Sequence, residues 1–349
     1  WFVGVISQSR APAVFILGDS LVDSGNNDYL ATTARADYRP YGIDFPTRAS
    51  TGRFSNGLNI ADFICESVGA EPVLPYLSPS IGSSSNLVRG ANFASAGVGI
   101  LNDTGVQFVD ILRLPVQLRY FAEYQNRVAA IIGRSATNQL IANALVSITL
   151  GGNDYVNNYY LVPVSARSIE YPSIVNYTNF IISEYKKILA RLYELGARRI
   201  MVTAVGPLGC VPSQRALRTV NGSCDPTLQR AAALFNGGLL NIIRQLNSQY
   251  GSTVYTFANS FSMNMDVVSN PGAFGFVTSQ IACCGQGRFN GIGLCNPTSS
   301  VCPNRNIYVF WDNYHPTERA NRLIVSRFMN GGESDMYPVN LRTLLELDV

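Results

Sequence analysis

Ser20, Asp312 and His315 are the residues of this chain whose types could together do covalent chemistry. A serine hydroxyl is a weak nucleophile until an adjacent base takes its proton. The sequence holds a single histidine, so any imidazole base must be His315. Asp312, three residues earlier, can accept the other ring N–H and fix the tautomer. That is the carboxylate's part in a Ser-His-Asp arrangement, which is recognised by geometry and not by chain order. Acyl transfer also needs donors for an oxyanion, each worth about 10²–10³ in rate. The Ser20 N–H supplies one, and the Asn153 side-chain amide, set by the Gly151-Gly152 turn, a second. A third comes from the glycine-rich stretch 92–99, where Gly97 and Gly99 both qualify and Gly97 is favoured.

Each of these residues also has an ordinary structural reading. Asp19 or Ser20 can cap a helix, and Gly151-Gly152-Asn153-Asp154 is common turn chemistry. Asp312 or Asn313 can likewise be a cap, and His315 a satisfied, partly buried side chain. Their joint placement along the chain favours chemistry. Short apolar runs at 14–17, 145–150, 200–205, 253–258 and 308–311 read as buried strands. Between them lie helical patterns at 115–132, 174–195, 227–246 and 317–329, the clearest carrying Tyr177, Ile181, Tyr185, Ile188, Leu192 and Leu195 on one face. Five such cycles predict an α/β fold with a mostly parallel sheet between helices. In such sheets ligands bind beyond the carboxyl ends of the strands. There the sequence places Gly18-Asp19-Ser20-Leu21, Gly151-Gly152-Asn153-Asp154 and Asp312-Asn313-Tyr314-His315. Pro316 stands near the first position of the last helix, and a helix N-terminus disfavours imidazolium, which suits a neutral resting base at His315. Segment 38–92 reads as a long loop region with one short helix at 62–68 that decorates the sheet. With no linker or repeat, residues 1–349 read as one domain, with 1–12 as an N-terminal extension.

Composition removes other classes of function. Only 14% of residues are charged, against about 25% in ordinary soluble proteins, and 47% are hydrophobic, which argues against disorder. The net charge of +3 comes without a Lys/Arg block, so no nucleic-acid partner is expected. One histidine excludes a multi-histidine metal site, and none of the seven cysteines forms a C-x-x-C pair. No apolar run approaches the roughly 20 residues of a transmembrane helix. The apolar start, Trp1 to Ile6 before Arg10-Ala11-Pro12, reads as the tail of a secretory signal or as a plain extension. Cys283 to Cys302 cluster in a Gly/Asn/Pro-rich loop of the kind that disulfides staple. Glycosylation sequons at Asn102, Asn176 and Asn221 join them in favouring an exported glycoprotein. Cys65, inside a helical stretch, reads as a buried free thiol. The G-x-S-x-G elbow is absent, so an α/β-hydrolase fold is not indicated.

Four blocks carry a family resemblance: Gly18-Asp19-Ser20-Leu21, Asn92-Phe93-Ala94-Ser95-Ala96-Gly97, Gly151-Gly152-Asn153-Asp154 and Asp312-Asn313-Tyr314-His315-Pro316-Thr317. In type and order they resemble those of plant GDSL-type esterase/lipases of the SGNH hydrolase superfamily, and the likeness spans essentially the whole chain. The resemblance implies a three-layer α/β/α sandwich, a secreted enzyme, no cofactor and an ester substrate. By similarity Ser20 is the nucleophile, Ser20, Gly97 and Asn153 are the oxyanion donors, and Asp312 and His315 are the acid and base partners. It also implies three bridges among Cys210, Cys224, Cys283, Cys284, Cys295 and Cys302, with Cys210 joined to Cys224 and Cys65 left over. Arg53-Phe54-Ser55-Asn56-Gly57 and Arg89-Gly90-Ala91-Asn92 are similar to segments of a land-plant subgroup. Some of its members act on cuticular hydroxyacyl esters, and related ones remove acetyl groups from wall xylan. The expectation is a secreted serine esterase acting on acyl or O-acetyl esters of cell-wall or cuticle material. The same residues would serve an acyltransferase passing hydroxyacyl groups to another hydroxyl. A secreted binding protein that keeps the fold without the chemistry is the alternative from another class.

Overall fold

Alternation along the first strand sets the two cores of the molecule. A computed structural model describes residues 11–161 and 164–348. In it β1 (Val14–Gly18) lies beside β2 (Gly90–Asn92) on one side and β3 (Leu145–Thr149) on the other. The sheet continues through β4 (Arg199–Thr203) and β5 (Tyr255–Ala258) to β6 (Met336–Tyr337), in the order β2-β1-β3-β4-β5-β6. Every pairing is parallel except β5 with β6. The covering helices are α1 (Ile60–Ser67), α2 (Leu114–Ile132), α3 (Ile174–Glu194), α4 (Pro226–Tyr250) and α5 (Glu318–Asn330).

Successive strand residues point to opposite faces. Phe15, Leu17, Val146, Ile148, Ile200 and Val202 therefore share one core with the inner faces of α2, α3 and α4. Val14, Ile16, Leu145 and Met201 share the other with α1 and α5. Each such side chain contributes about 1.5–3 kcal/mol on burial, which fixes register as well as fold. The result is the expected three-layer α/β/α sandwich with a mostly parallel sheet. α1 starts on a capping box: Asn59 Oδ1 accepts the Ala61 and Asp62 N–H groups, and the Asp62 carboxylate accepts the Asn59 N–H at 2.9 Å.

The structure corrects three readings of the sequence. The run 308–311 is not a strand of the sheet. It makes only isolated bridges, Tyr308 with Thr278 and Phe310 with Pro316. Its apolar residues are buried because Trp311 packs on the disulfide-bonded cysteines and Val309 and Phe310 pack beside Phe276 and Ala320. Continuous burial alone does not distinguish such a segment from a central strand. The missing place in the sheet is taken by β2, whose Gly-Ala-Asn sequence, inside the region read as loop, carries no strand pattern. Pro316 also stands outside α5, whose N-cap is Thr317, the acceptor of the Ala320 N–H. The extension read at 1–12 lies, apart from residues 11 and 12, outside the described residues.

The segment leading to His315 is held by covalent bonds. Cys283 is bonded to Cys302 and Cys284 to Cys295, across a two-stranded ribbon of Cys284–Gly285 with Ser300–Val301. The Cys283 and Cys284 N–H groups donate to the Phe310 and Trp311 carbonyls. Cys210–Cys224 closes the loop before α4, and Cys65 is free and buried. A loop as short as the one closed by Cys284–Cys295 gains about 3 kcal/mol from loop-closure entropy. The double replacement Cys284→Ser with Cys295→Ser is expected to lower unfolding free energy by about 2–4 kcal/mol in urea titrations. The loop that holds His315 should loosen further than the rest, because the ribbon carries it, and its amide hydrogens should exchange faster relative to those of β1 and β3. A double variant with unchanged exchange in that loop would count against that coupling.

Candidate active site

The turn after β1 is built so that Ser20 stands clear of the sheet. Gly18 has φ +143°, and a Cβ there would lie 2.4 Å from the Thr149 carbonyl oxygen. Its N–H donates to Gln117 Oε1 and its carbonyl accepts from Gln117 Nε2, both at 2.9 Å. Gln117, on α2, thus clamps both backbone polar groups of Gly18. No helix follows Ser20 directly, so it is not a cap. Asp19 instead turns back to accept the Leu21 N–H at 3.0 Å.

His315 meets Ser20 across the carboxyl end of the sheet. Its Nε2 is 2.8 Å from Ser20 Oγ, and its Nδ1 is 2.8 and 2.9 Å from the two Asp312 oxygens. With the proton on Nδ1 donated to Asp312, Nε2 is left to accept from the serine hydroxyl. The Asp312 side chain also accepts the Tyr314 and His315 N–H groups and the Tyr41 hydroxyl, at 2.9, 2.8 and 2.8 Å. Burial by itself would raise its pKa. The facing imidazole and the N–H donors outweigh burial, so Asp312 lies below its ordinary value. Phe54 covers the imidazole with ring centroids 4.9 Å apart.

Two further backbone turns bring donors to the hydroxyl. Gly97, at φ +87°, and Asn153 both border the cavity of ≈ 210 Å³ on which Ser20 opens. Gly99 does not border it; a Cβ there would press on the Asp154 carboxylate, which places Gly97 and not Gly99 at the cleft. Neither the Ser20 nor the Gly97 N–H has a hydrogen-bond partner among the described residues. Asn153 Nδ2 uses one proton on the Val98 carbonyl at 2.9 Å, leaving its second for a ligand. Asn153 Oδ1 accepts from Asn157 Nδ2 at 2.7 Å, which fixes the amide's orientation.

Other buried groups hold these turns together. Asp154 accepts the Ile100 and Leu101 N–H groups and the Thr104 hydroxyl, tying the third block to the stretch that follows the second. Asn92 Nδ2 donates to the Val22 carbonyl at 2.6 Å, and the Asp23 carboxylate accepts the Ala96 N–H at 3.2 Å, tying the second block to the first. Burial lifts Asp23 and Asp154 to about 6 although both accept several N–H bonds.

The sequence brought Ser20, Gly97, Asn153, Asp312 and His315 to notice, and the fold gathers all five around one cleft. Tyr41, Gln117 and Asn157 were missed as parts of it. Asn157 had a usable signal, its spacing of four residues from Asn153, although the backbone from Tyr155–Tyr159 is a π-helix. Tyr38 to Tyr41 read in the sequence as a groove lining or, more often, as core, and Gln117 carried no mark; only tertiary contact links Tyr41 and Gln117 to the site. Asn102, Asn176 and Asn221 are all exposed. No group of acidic, histidine or cysteine side chains among the described residues could hold a metal ion.

A hydroxyl bonded to a buried imidazole–carboxylate pair, facing free N–H donors, can pass an acyl group through a covalent intermediate. The comparison with known proteins agrees with that class of chemistry. Residues 14–328 match the family model described as GDSL-like lipase/acylhydrolase, and the chain belongs to that family of ester-bond hydrolases. It is 59% identical over 341 residues to the GDSL esterase/lipase LTL1 of Arabidopsis thaliana, an alignment covering 98% of this chain and 93% of that one. Two more Arabidopsis thaliana proteins, GDSL esterase/lipase At4g28780 and GDSL esterase/lipase At5g18430, are each 57% identical, covering 97% and 98% of this chain and 92% and 94% of their own.

The pH behaviour of the turn can be tested through Asp19. Burial lifts its carboxyl from 3.8 to about 7, against the opposing pull of the Leu21 N–H and His315. The folded chain therefore keeps a proton between about 4 and 7 that the unfolded chain has released, and stability falls as pH rises through that window. Asp19→Asn removes this loss. Its stability relative to the native protein should climb by about 2–4 kcal/mol from pH 4 to 7 and then level off. A difference in urea unfolding free energy that is flat with pH would show the Asp19 carboxyl to titrate alike in the folded and unfolded chains.

Proposed function

We propose that the chain is an exported serine esterase that cleaves acyl or O-acetyl esters of cell-wall or cuticle material through Ser20, His315 and Asp312. The observation that carries this reading is the unbroken contact from Ser20 Oγ to His315 Nε2 and from His315 Nδ1 to Asp312, each step at 2.8 Å. His315 Nε2 takes the Ser20 proton as Oγ bonds to the ester carbonyl carbon. The carbonyl oxygen becomes an oxyanion held by the Ser20 and Gly97 N–H groups and the Asn153 amide. The imidazolium then protonates the departing alcohol oxygen, leaving the acyl group on Ser20. Water, deprotonated by the same nitrogen, returns the acid and the free hydroxyl. Asp312 holds the tautomer and stabilises the imidazolium without accepting its proton.

Export is supported by the three disulfides, which persist in oxidising compartments, and by the exposure of all three sequon asparagines. The length of the family match supports reading the chain as one catalytic domain.

The test is an ester panel run on the native protein and Ser20→Ala together: short synthetic acyl esters, acetylated xylan and hydroxyacyl glycerols. The replacement is expected to lower turnover by at least about 10³-fold on whichever ester is cleaved. Equal turnover by the two proteins would overturn the assignment of Ser20. Transesterified oligomers in place of free acid would show the acceptor to be a hydroxyl other than water's. Tyr41→Phe removes a hydrogen bond to a charged acceptor, worth about 1.5–3 kcal/mol. It is expected to lower kcat about tenfold with KM little changed. A rise confined to KM would mean that Tyr41 serves substrate binding instead of Asp312.

A further inference from the structure

The direction of the Gly97 N–H rests on few bonds. The peptide that carries it is tied at its carbonyl end, where Ala96 accepts from Asn27 Nδ2 at 3.1 Å. Neither the Gly97 N–H nor the Gly97 carbonyl has a hydrogen-bond partner among the described residues. A peptide plane tied at one point can pivot about it, and glycine has no side chain to resist. Phe108 supplies the resistance. A Cβ on Gly97 would fall on the Phe108 ring, so the ring fills the place of a side chain at position 97. The same ring borders the cleft beside Gly97 and Asn153.

The backbone around Phe108 is strained into this position. Phe108 ends a 3₁₀ turn, Val106–Phe108, opened by Gly105 at φ +78°. A Cβ on Gly105 would strike the Gly97 carbonyl oxygen, so the two backbones pass in contact. Val109 then takes φ +68° and ψ −94°, which a β-branched residue adopts only where its surroundings impose it. Its side chain is 70% exposed, so packing at Val109 does not impose it. Hydrogen bonds do: the Thr32 hydroxyl donates to the Phe108 carbonyl at 2.7 Å, and the Val109 N–H to the Val106 carbonyl at 3.2 Å. Gln107 Nε2, from the same turn, donates to the carbonyl of Asn157, whose side chain orients the Asn153 amide.

We infer, on the strength of the Ser20 and Gly97 assignments, that Phe108 is a positioning residue of the oxyanion site: it holds the Gly97 N–H on the point where negative charge develops. It need not touch the ester to do so. A hydrogen bond weakens steeply as its angle opens. A donor that pivots therefore forfeits part of the roughly 10²–10³-fold that one oxyanion donor contributes. Both halves of the acyl-transfer cycle pass through an oxyanion, so the loss falls on kcat and leaves KM nearly unmoved.

The test pairs p-nitrophenyl acetate with p-nitrophenyl thionoacetate, in which sulfur replaces the carbonyl oxygen. Sulfur is larger and a weaker acceptor, so the donors aid the thionoester less. Damage to Ser20, His315 or Asp312 would slow both substrates alike, whereas a misdirected donor slows the oxygen ester more. Phe108→Ala is expected to lower kcat about tenfold on the ester and no more than about twofold on the thionoester, with KM nearly unchanged. Phe108→Leu, which keeps an apolar group against Gly97, should hold the ester-to-thionoester ratio within about twofold of the native value. Should Phe108→Ala fail to fold, Phe108→Val takes its place, with a fall in the ratio of about threefold. A ratio that stays at the native value in the smaller variant would overturn the proposal, as would a rise confined to KM. Ester turnover that survives Ser20→Ala would instead overturn the nucleophile, so the two failures are distinguishable.

Discussion

The burial of Asp312 is the constraint on which the rest of the site depends. Taking a carboxylate out of water costs several kcal/mol unless its lone pairs are filled and an opposite charge can stand beside it. Asp312 meets both demands, with two backbone N–H groups, the Tyr41 hydroxyl and the His315 ring around it. The same bonds that keep it ionised prevent the imidazole from turning, so the stability of the carboxylate and the direction of His315 Nε2 are one fact. The arrangement also explains the lobe around it. Tyr41 arrives from the segment before α1, and Trp311 is packed against it and against the bridged cysteines. Without a sheet to hold the segment before Asp312, covalent staples do so.

The opposite side of the cleft is held by the sheet itself. β1 and β3 are neighbours in level register, Gly18 opposite Thr149, so the turns after them emerge side by side. Three buried carboxyl or amide groups then lock the intervening stretch 92–101 between those turns: Asp23, Asn92 and Asp154. These residues sit in or beside the sequence blocks that carry the family resemblance, yet most of their contacts are with backbone. A good part of each block is scaffolding whose purpose is to leave a few N–H groups free at one point. Catalytic sites need such pre-placed donors because a dipole already oriented costs nothing to reorient as charge develops.

Much of this was legible in the sequence, for local reasons. A strand's apolar run, a helix's period and a glycine-rich turn are properties of neighbouring residues, so β1, β3, β4, α2, α3 and α4 could be read directly. The sole histidine left no choice of base, and the turns after β1 and β3 marked Ser20 and Asn153. What the sequence could not determine depends on contacts between residues far apart. The run before Asp312 was apolar because it packs on a disulfide lobe, and its composition alone looks the same as that of a strand. β2 joins the sheet by backbone pairing with β1, which its Gly-Ala-Asn sequence does not advertise. Tyr41 reaches Asp312 across 271 positions, and Gln117 reaches Gly18 across 99. Local chemistry is written in the order of residues; the company each residue keeps is decided only when the chain folds.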